Sequence, residues 1–427
     1  MTHPSARLPL ASWIGAKRDH RSPDASGNRY GKLRRTRWLW YSSYAELFGT
    51  YDGGSFDILD FDPRGVGVST PLLHCFDSDA QQKIWDLPIV SLLPNITDSS
   101  IRMVRARARA VGKRCEELSG GNGKVDLGAS AEEWGAARFM STASVATDML
   151  KITEKLGQDK VHYWGYFAAM YPDKVGHMVL DGVFDAYDYR SSMWNTNFMN
   201  TNSIFDAFFS LRHVAGPDKC AMYDSTQHRI RMRVDSVMQR LAEEPAIVPF
   251  AHGGPALITT TQLQQFQFLA TYSPFQIFSY LADLLVAIER NNQTALALLT
   301  NGFTPLFICA ETCRDAPDHW AEFAQALAAI ACGDGDPVSY DSEGQKRDFE
   351  RMYAQASFAA PFWTGHYLRC AEWRIRPKWR YTGSLKAAQT AHPLLLLSPR
   401  YNPVAPLLHA QAVQIRYGRA GLLVQNS

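Results

Sequence analysis

Lys160-Val161-His162-Tyr163-Trp164-Gly165-Tyr166-Phe167-Ala168-Ala169-Met170-Tyr171-Pro172-Asp173-Lys174-Val175 is the stretch whose reading decides the fold. It opens with an apolar strand over 161–164, turns at a glycine, continues as a small-residue helical segment over about 166–171 and stops at a proline. A second strand is predicted from His177 to Leu180. Strand, turn, helix and strand in that order make the crossover of a parallel sheet. Twelve residues separate Trp164 from His177, about the minimum for such a connection. The helical part spans about 9 Å at 1.5 Å per residue, against about 17 Å for a five-residue strand. The crossover therefore closes with a stub in place of a full helix.

Outward from this unit the same alternation persists. Phe56 to Phe61 reads as a strand ended by the turn Asp62-Pro63-Arg64-Gly65-Val66-Gly67. Ala131 to Leu156 carries a helical stripe through Trp134, Ala137, Met140, Ala146, Met149, Leu150 and Ile152, with Gly157 as its stop. Leu394 to Leu397, Pro403 to Tyr417 and Leu422 to Val424 read as strand, helix and strand. Between them the pattern changes. Thr261 to Ile288 and Trp320 to Ile330 are helical and aromatic-rich with no strand signal, as an inserted helical cap would be. The chain is thus divided into a basic, disordered arm (1–38), the first part of an α/β core (39–190), a helical cap (191–380) and the C-terminal part of the core (381–427).

Composition sets outer bounds. At 427 residues and 46% hydrophobic, the chain has material for a large core. Its 44 basic and 42 acidic side chains nearly cancel, which gives no whole-chain reason to expect nucleic acid as a partner. Nine of the basic residues lie in 1–38, against Asp19 and Asp24. No run of 18 apolar residues marks a membrane span, and no apolar leader core is seen at the N-terminus. Seven cysteines, an odd number, fit either a reduced intracellular protein or a secreted scaffold; the balance leans intracellular. Asn95-Ile96-Thr97 and Asn292-Gln293-Thr294 match the glycosylation sequon, a triplet that also arises by chance.

Asp60-Phe61-Asp62-Pro63-Arg64-Gly65-Val66-Gly67-Val68-Ser69-Thr70-Pro71 resembles the F-D-P-R-G-x-G-x-S-x-P signature of the α/β-hydrolases grouped with tripeptidyl and prolyl aminopeptidases. The closest resemblance is to fungal members with a TAP-like C-terminal domain. Ser141 to Met149, Pro172 to Val183, and Cys370-Ala371-Glu372-Trp373 followed by Pro403-Val404-Ala405-Pro406-Leu407 agree in the same order, so the likeness covers about 43–427. It implies an α/β class, mostly parallel sheet with an inserted helical cap, and a serine hydrolase acting on peptide, amide or ester bonds. For the fungal group it also admits a place in specialised metabolism.

The resemblance makes three chemical demands. An oxyanion hole needs backbone N–H groups from a glycine-rich loop after an early strand; here only Gly53-Gly54 precedes Phe56 as a pair, and Arg34 to Tyr41 occupies the place of that element. A nucleophile needs a serine on a tight strand-to-helix turn; here the elbow is truncated at Gly165 and Tyr166, with no serine before Ala168. The acid position is Asn402, a neutral amide, and the base is expected after the last strand, where the sequence reaches Gln425-Asn426-Ser427. The fold is accordingly expected to be an incomplete α/β-hydrolase fold, with no intact catalytic set and no metal or cofactor.

Other candidates have plainer explanations. Ser69 is expected to serve the backbone of its own turn, and Asp62 with Arg64 to form a turn pair. His74, His162 and His177 read as strand or turn histidines. Cys309, Cys313 and His319 look like a metal half-site, but without a second pair they read as loop cysteines. By resemblance, Cys370 would pair with a cysteine beyond the chain's end. Two functions remain open. One is a hydrolase whose active form differs from this text by missing segments, as misassigned exon boundaries would produce. The other is a non-catalytic protein binding a small molecule or peptide under the cap. Either way, loss of the early strand and nucleophile helix is expected to bare apolar sheet surface.

Overall fold

The computed structural model describes residues 13–17, 56–66, 69, 72–86, 93, 98–121, 135–164, 167–251, 254–300, 323–338 and 342–426. Six strands form the main sheet: β1 (Trp13–Lys17), β2 (Phe56–Asp60), β3 (Val161–Trp164), β4 (Val175–Asp181), β7 (Leu394–Pro399) and β8 (Gly421–Gln425), in the order β2-β1-β3-β4-β7-β8. The last four are parallel. β1 is antiparallel to both neighbours, pairing Trp13 with Asp60 on one side and with Trp164 on the other.

β1 falls inside the arm expected to be disordered. β2 pairs with all five of its residues and β3 with Trp13, Ile14 and Gly15, so a segment with little apolar pattern of its own is held by backbone hydrogen bonding. The expected strands at 56–61, 161–164, 177–180, 394–397 and 422–424 are all present; the last three are longer by two or three residues, and β2 ends one residue early, at Asp60. β4 begins two residues early, at Val175, which leaves ten residues, 165–174, to cross from β3. The expected helical stub is absent from the described part of that crossover. Residues 168–170 form a turn closed by Met170 N–H to Phe167 O at 3.3 Å, because a segment this short cannot recover the cost of nucleating a helix.

The long helix expected over 131–156 is also broken. A 3-10 turn covers Ala136–Phe139, and helix α3 (Thr142–Lys155) starts afresh at Ser141, whose side chain caps the Ser144 N–H. Gly135, at φ 74°, makes the entry possible. Before it come α1 (Asp79–Asp86) and α2 (Asp98–Ser119).

The cap region contains α4 (Ala186–Arg190), α5 (Thr201–Ala215), α6 (Gln227–Glu243), a hairpin of β5 (Ala246–Val248) and β6 (Ala256–Ile258), α7 (Thr260–Ala270), α8 (Pro274–Glu289), α9 (Gln293–Leu299), α10 (Phe323–Asp334), α11 (Ser342–Gln355) and α12 (Ala360–Glu372). The hairpin was not expected, three residues per strand being too few for a period-2 signal. Helix α13 (Leu407–Arg416) returns the chain to the sheet.

Two buried clusters result. The larger joins the cap to α2, through residues such as Ile101, Cys115, Phe198, Phe208, Phe278 and Tyr367. The smaller lies under one face of the sheet, where Met149 and Leu150 of α3 and Ala410 and Val413 of α13 meet Met178, Leu180, Leu394 and Leu396. The opposite face carries Leu395, 41% exposed, and Leu423, 62% exposed. With Leu397 between them, those residues share one side by register. Among the described residues this apolar face of β7 and β8 is left exposed; the early-strand side, where the exposure was expected, is instead occupied by β1 and β2.

Candidate functional site

In a parallel sheet, loops past the carboxyl ends of adjacent strands meet along one edge, where ligands of open α/β sheets bind. β3, β4, β7 and β8 are adjacent and parallel, so their carboxyl ends, at Trp164, Asp181, Pro399 and Gln425, share that edge. Gly165 and Tyr166 lie outside the described residues. Asn402, in the loop after β7, is described. Its Oδ1 accepts from the N–H groups of Val404 at 3.0 Å and Ala405 at 2.7 Å. Both lone-pair directions of that oxygen serve its own turn. This loop is tied to the cap by Thr201 Oγ1 donating to Pro403 O at 2.6 Å and Asn200 Nδ2 donating to Arg400 O at 3.1 Å.

Behind Asn402 the structure assembles groups that the sequence did not single out. His409 on α13 is 1% exposed, and its Nε2 lies 2.8 Å from Thr196 Oγ1. Thr196 donates its only hydroxyl proton to Asp188 Oδ2 at 2.7 Å, so Nε2 of His409 carries the proton and Nδ1 is left as an acceptor. Burial holds the His409 imidazole below its ordinary titration range. The hydroxyl stands between carboxylate and imidazole, whereas a nucleophilic triad places the imidazole between the other two. Its effect is to join α4, the 194–196 segment and α13. Beside it, Asp185 takes a bidentate bond from Arg416 at 2.7 and 2.8 Å. Burial pushes Asp185 up, but Arg416 and the backbone N–H groups of Tyr187 and Asp188 together hold the carboxyl below its usual range. Nothing in the local pattern marked His409 beyond its place in the His409, Ala410, Val413 buried stripe of α13.

Asp334, at the end of α10, is a second buried carboxyl. It accepts from the Thr142 N–H at 3.0 Å, the Thr142 hydroxyl and the Tyr189 hydroxyl at 3.1 Å. Burial drives it up to about 6. Its oxygens satisfy the Thr142 N–H, a first-turn donor that the Ser141 cap does not reach, so it fastens cap to core.

The remaining candidates resolve one by one. Ser69 Oγ donates to Asp62 O at 2.6 Å, the backbone role expected for it. The expected pair of Asp62 with Arg64 is replaced by a bidentate pair between Arg64 and Asp148 of α3, at 2.6 and 2.7 Å. His162 Nδ1 accepts the His177 N–H at 3.1 Å, and the His177 ring stacks on His162 and lies tilted against His392, with centroids 5.3 and 5.5 Å away. These rings sit toward the amino ends of β3, β4 and β7, away from the Asn402 edge. His74 is held through its backbone by the Ser119 hydroxyl. Cys370 does not await a distant partner: it is bonded to Cys332. A second disulfide joins Cys75 to Cys115, and Cys220 is a buried free thiol.

Cys309, Cys313 and His319 lie outside the described residues. Among the described residues no cluster of His, Cys, Asp and Glu is arranged to hold a metal, and no helix is long and apolar enough to cross a membrane. A cleft of about 150 Å³ lies between Leu73–Ser78, Gln82 and Gln325, beside the Cys75–Cys115 bond.

With this geometry in place, comparison with known proteins becomes informative. A family model described as alpha/beta hydrolase fold matches residues 33–412. The chain belongs to the α/β-hydrolase fold family. Within that family it is similar to the serine protease Hip1 of Mycobacterium tuberculosis and of Mycobacterium bovis, 23% identical over 378 residues, which cover 82% of this chain and 64% of each relative. It is similar also to the tripeptidyl aminopeptidase of Streptomyces lividans, 29% identical over 183 residues, 41% of this chain and 29% of that protein. The α/β-hydrolase chain described here thus matches less than two thirds of the length of these curated relatives.

Proposed function

We propose that this polypeptide uses an α/β-hydrolase scaffold to hold a small molecule or peptide beneath its aromatic cap, without turnover by a serine triad. The observation that carries this reading is Asn402. The acid position of the resemblance holds an amide whose Oδ1 is already engaged by two backbone N–H groups, so it supplies neither charge nor a spare lone pair to an imidazole. The sequence from Gly165 to Ala169 supports the same reading, since it contains no serine, cysteine or threonine.

Support for a ligand comes from the cap. Trp363 packs edge-on against Trp194 and Phe198, at centroid distances of 6.1 and 5.3 Å. Asn197 Oδ1, Trp363 Nε1 and Thr364 Oγ1, on or next in sequence to these rings, and His409 Nδ1, whose ring bonds Thr196, are buried without a hydrogen-bond partner among the described residues. Buried polar atoms are costly unless something meets them, and a ligand with amide or hydroxyl groups has the matching chemistry.

A second reading, hydrolysis of peptide, amide or ester bonds, is favoured by the similarity to a serine protease and a tripeptidyl aminopeptidase. One experiment separates the two. The full chain is treated with a fluorophosphonate probe and assayed on tripeptidyl and aminoacyl amides and short esters. No labelling and no turnover are expected, and Asn402→Asp alone is expected to restore neither. Labelling abolished by a single serine substitution would overturn the binding reading in favour of catalysis.

A further inference from the structure

We infer that Asn292 is an N-glycosylation site and that the chain matures in an oxidising secretory compartment. Two independent observations carry this. The first is the seat of the Asn292-Gln293-Thr294 triplet. Asn291, at φ 49°, turns the chain out of α8, and Asn292 follows as the exposed N-cap of α9. Its Oδ1 accepts the Ala295 N–H at 3.1 Å. Nδ2, the atom that a glycan modifies, makes no hydrogen bond to the described residues and stands on an exposed residue beside exposed Thr294. Cap and acceptor thus use opposite ends of one amide, and a glycan on Nδ2 leaves the helix capped.

The second observation is the pair of disulfides. Cys75–Cys115 ties the 72–78 segment to α2, and Cys332–Cys370 ties α10 to α12. All four residues are at most 4% exposed. Such bonds form and persist where the medium is oxidising, and reducing compartments keep thiols free. Secretory compartments are also where sequons are modified. The expectation of an intracellular location is replaced by this proposal.

The step itself is a group transfer without redox change. A bond forms between Nδ2 of Asn292 and C1 of an oligosaccharide. The bond from C1 to a lipid pyrophosphate breaks, and Nδ2 gives up one proton. The co-reactant is a lipid-pyrophosphate-linked oligosaccharide.

The test carries the full chain behind a cleavable secretory leader into endoplasmic-reticulum microsomes, in an Asn95→Gln background so that only Asn292 reports. One mobility step reversed by a glycan-releasing amidase is expected for this parent and for Thr294→Ser, and none for Thr294→Ala or Asn292→Asp. Aspartate is itself a good N-cap, so Asn292→Asp removes the acceptor without uncapping α9. The amidase leaves aspartate at 292, and the released protein should melt no lower than the glycoform. A translocated parent with both disulfides formed and no amidase-sensitive species would overturn the site. A glycosylated parent whose Cys75, Cys115, Cys332 and Cys370 all react as free thiols would overturn the oxidising half of the proposal.

Discussion

Asp334 shows what a single residue contributes when burial and hydrogen bonding oppose each other. Donors from Thr142 and Tyr189 favour its charged form, yet burial prevails and lifts the carboxyl from 3.8 to about 6. A group raised in the folded state holds its proton more tightly there than in the unfolded chain. Its contribution is complete below about pH 4 and is lost as pH climbs through about 6. At roughly 1.4 kcal/mol per unit, the two-unit rise amounts to about 3 kcal/mol. Asp334→Asn keeps an oxygen for the Thr142 N–H and does not titrate, while lowered groups such as His409 titrate alike in both proteins, so the difference in urea midpoint should move in the variant's favour from pH 4 to 7. Parallel profiles would show that Asp334 does not titrate in this range. Residue-scale legibility was uneven for a physical reason. Ser69 bonds seven residues back and was readable, whereas Arg64 finds Asp148 across 84 residues and Cys370 finds Cys332 through packing of two helices. Local pattern carries no signal for such partners. The amide at 402 was legible as a residue, but its engagement with Val404 and Ala405 was not.

Among elements, the contact of α2 with α12 is the most heavily specified. Gly112 of α2 lies so close to α12 that a Cβ there would stand 2.8 Å from Glu372 O. Glu372, 3% exposed, takes Arg105 Nε at 2.5 Å and Arg109 Nε at 2.9 Å from the same helix. The two ends of this clamp are not equivalent. Glu372→Ala removes the buried charge and leaves two arginines that still reach water, so its cost is that of lost charged hydrogen bonds, about 2 kcal/mol. Arg105→Ala with Arg109→Ala strands a carboxylate in the interior and should cost about 3–5 kcal/mol. Urea unfolding of the two variants decides it; an equal or reversed order would mean that Glu372 reaches solvent when its partners are gone. The same contrast governs which elements could be read. The strand runs at 161–164 and 394–397 announce themselves because each is a short, continuous apolar or aromatic run bounded by turn residues. β1 could not be read, since Trp13–Lys17 is a strand by virtue of the ladders on both sides. The crossover after β3 reads as helix in composition, but has too few residues to form one.

At the scale of the molecule, the two cores set the balance. The cap owns the larger one, while among the described residues the buried helix contacts of the parallel strands lie on one side. A parallel sheet ordinarily hides both faces, and here Leu395, Leu397 and Leu423 lie on the side away from α3 and α13. β8 is an edge strand, so its free backbone groups add to the exposed apolar surface. Both features favour association at micromolar concentration, with little dependence on salt because the surface is apolar. Leu395→Lys with Leu423→Lys puts charge on that face without touching the buried row of Met178, Leu180, Leu394 and Leu396. Sedimentation velocity across a concentration series should show the parent associating and the double variant remaining monomeric, with unchanged circular dichroism. A parent that stays monomeric at high concentration and unfolds in one cooperative step would mean that this face is covered by other residues of the chain. That outcome would also reassign Leu423 from a liability to an interior position.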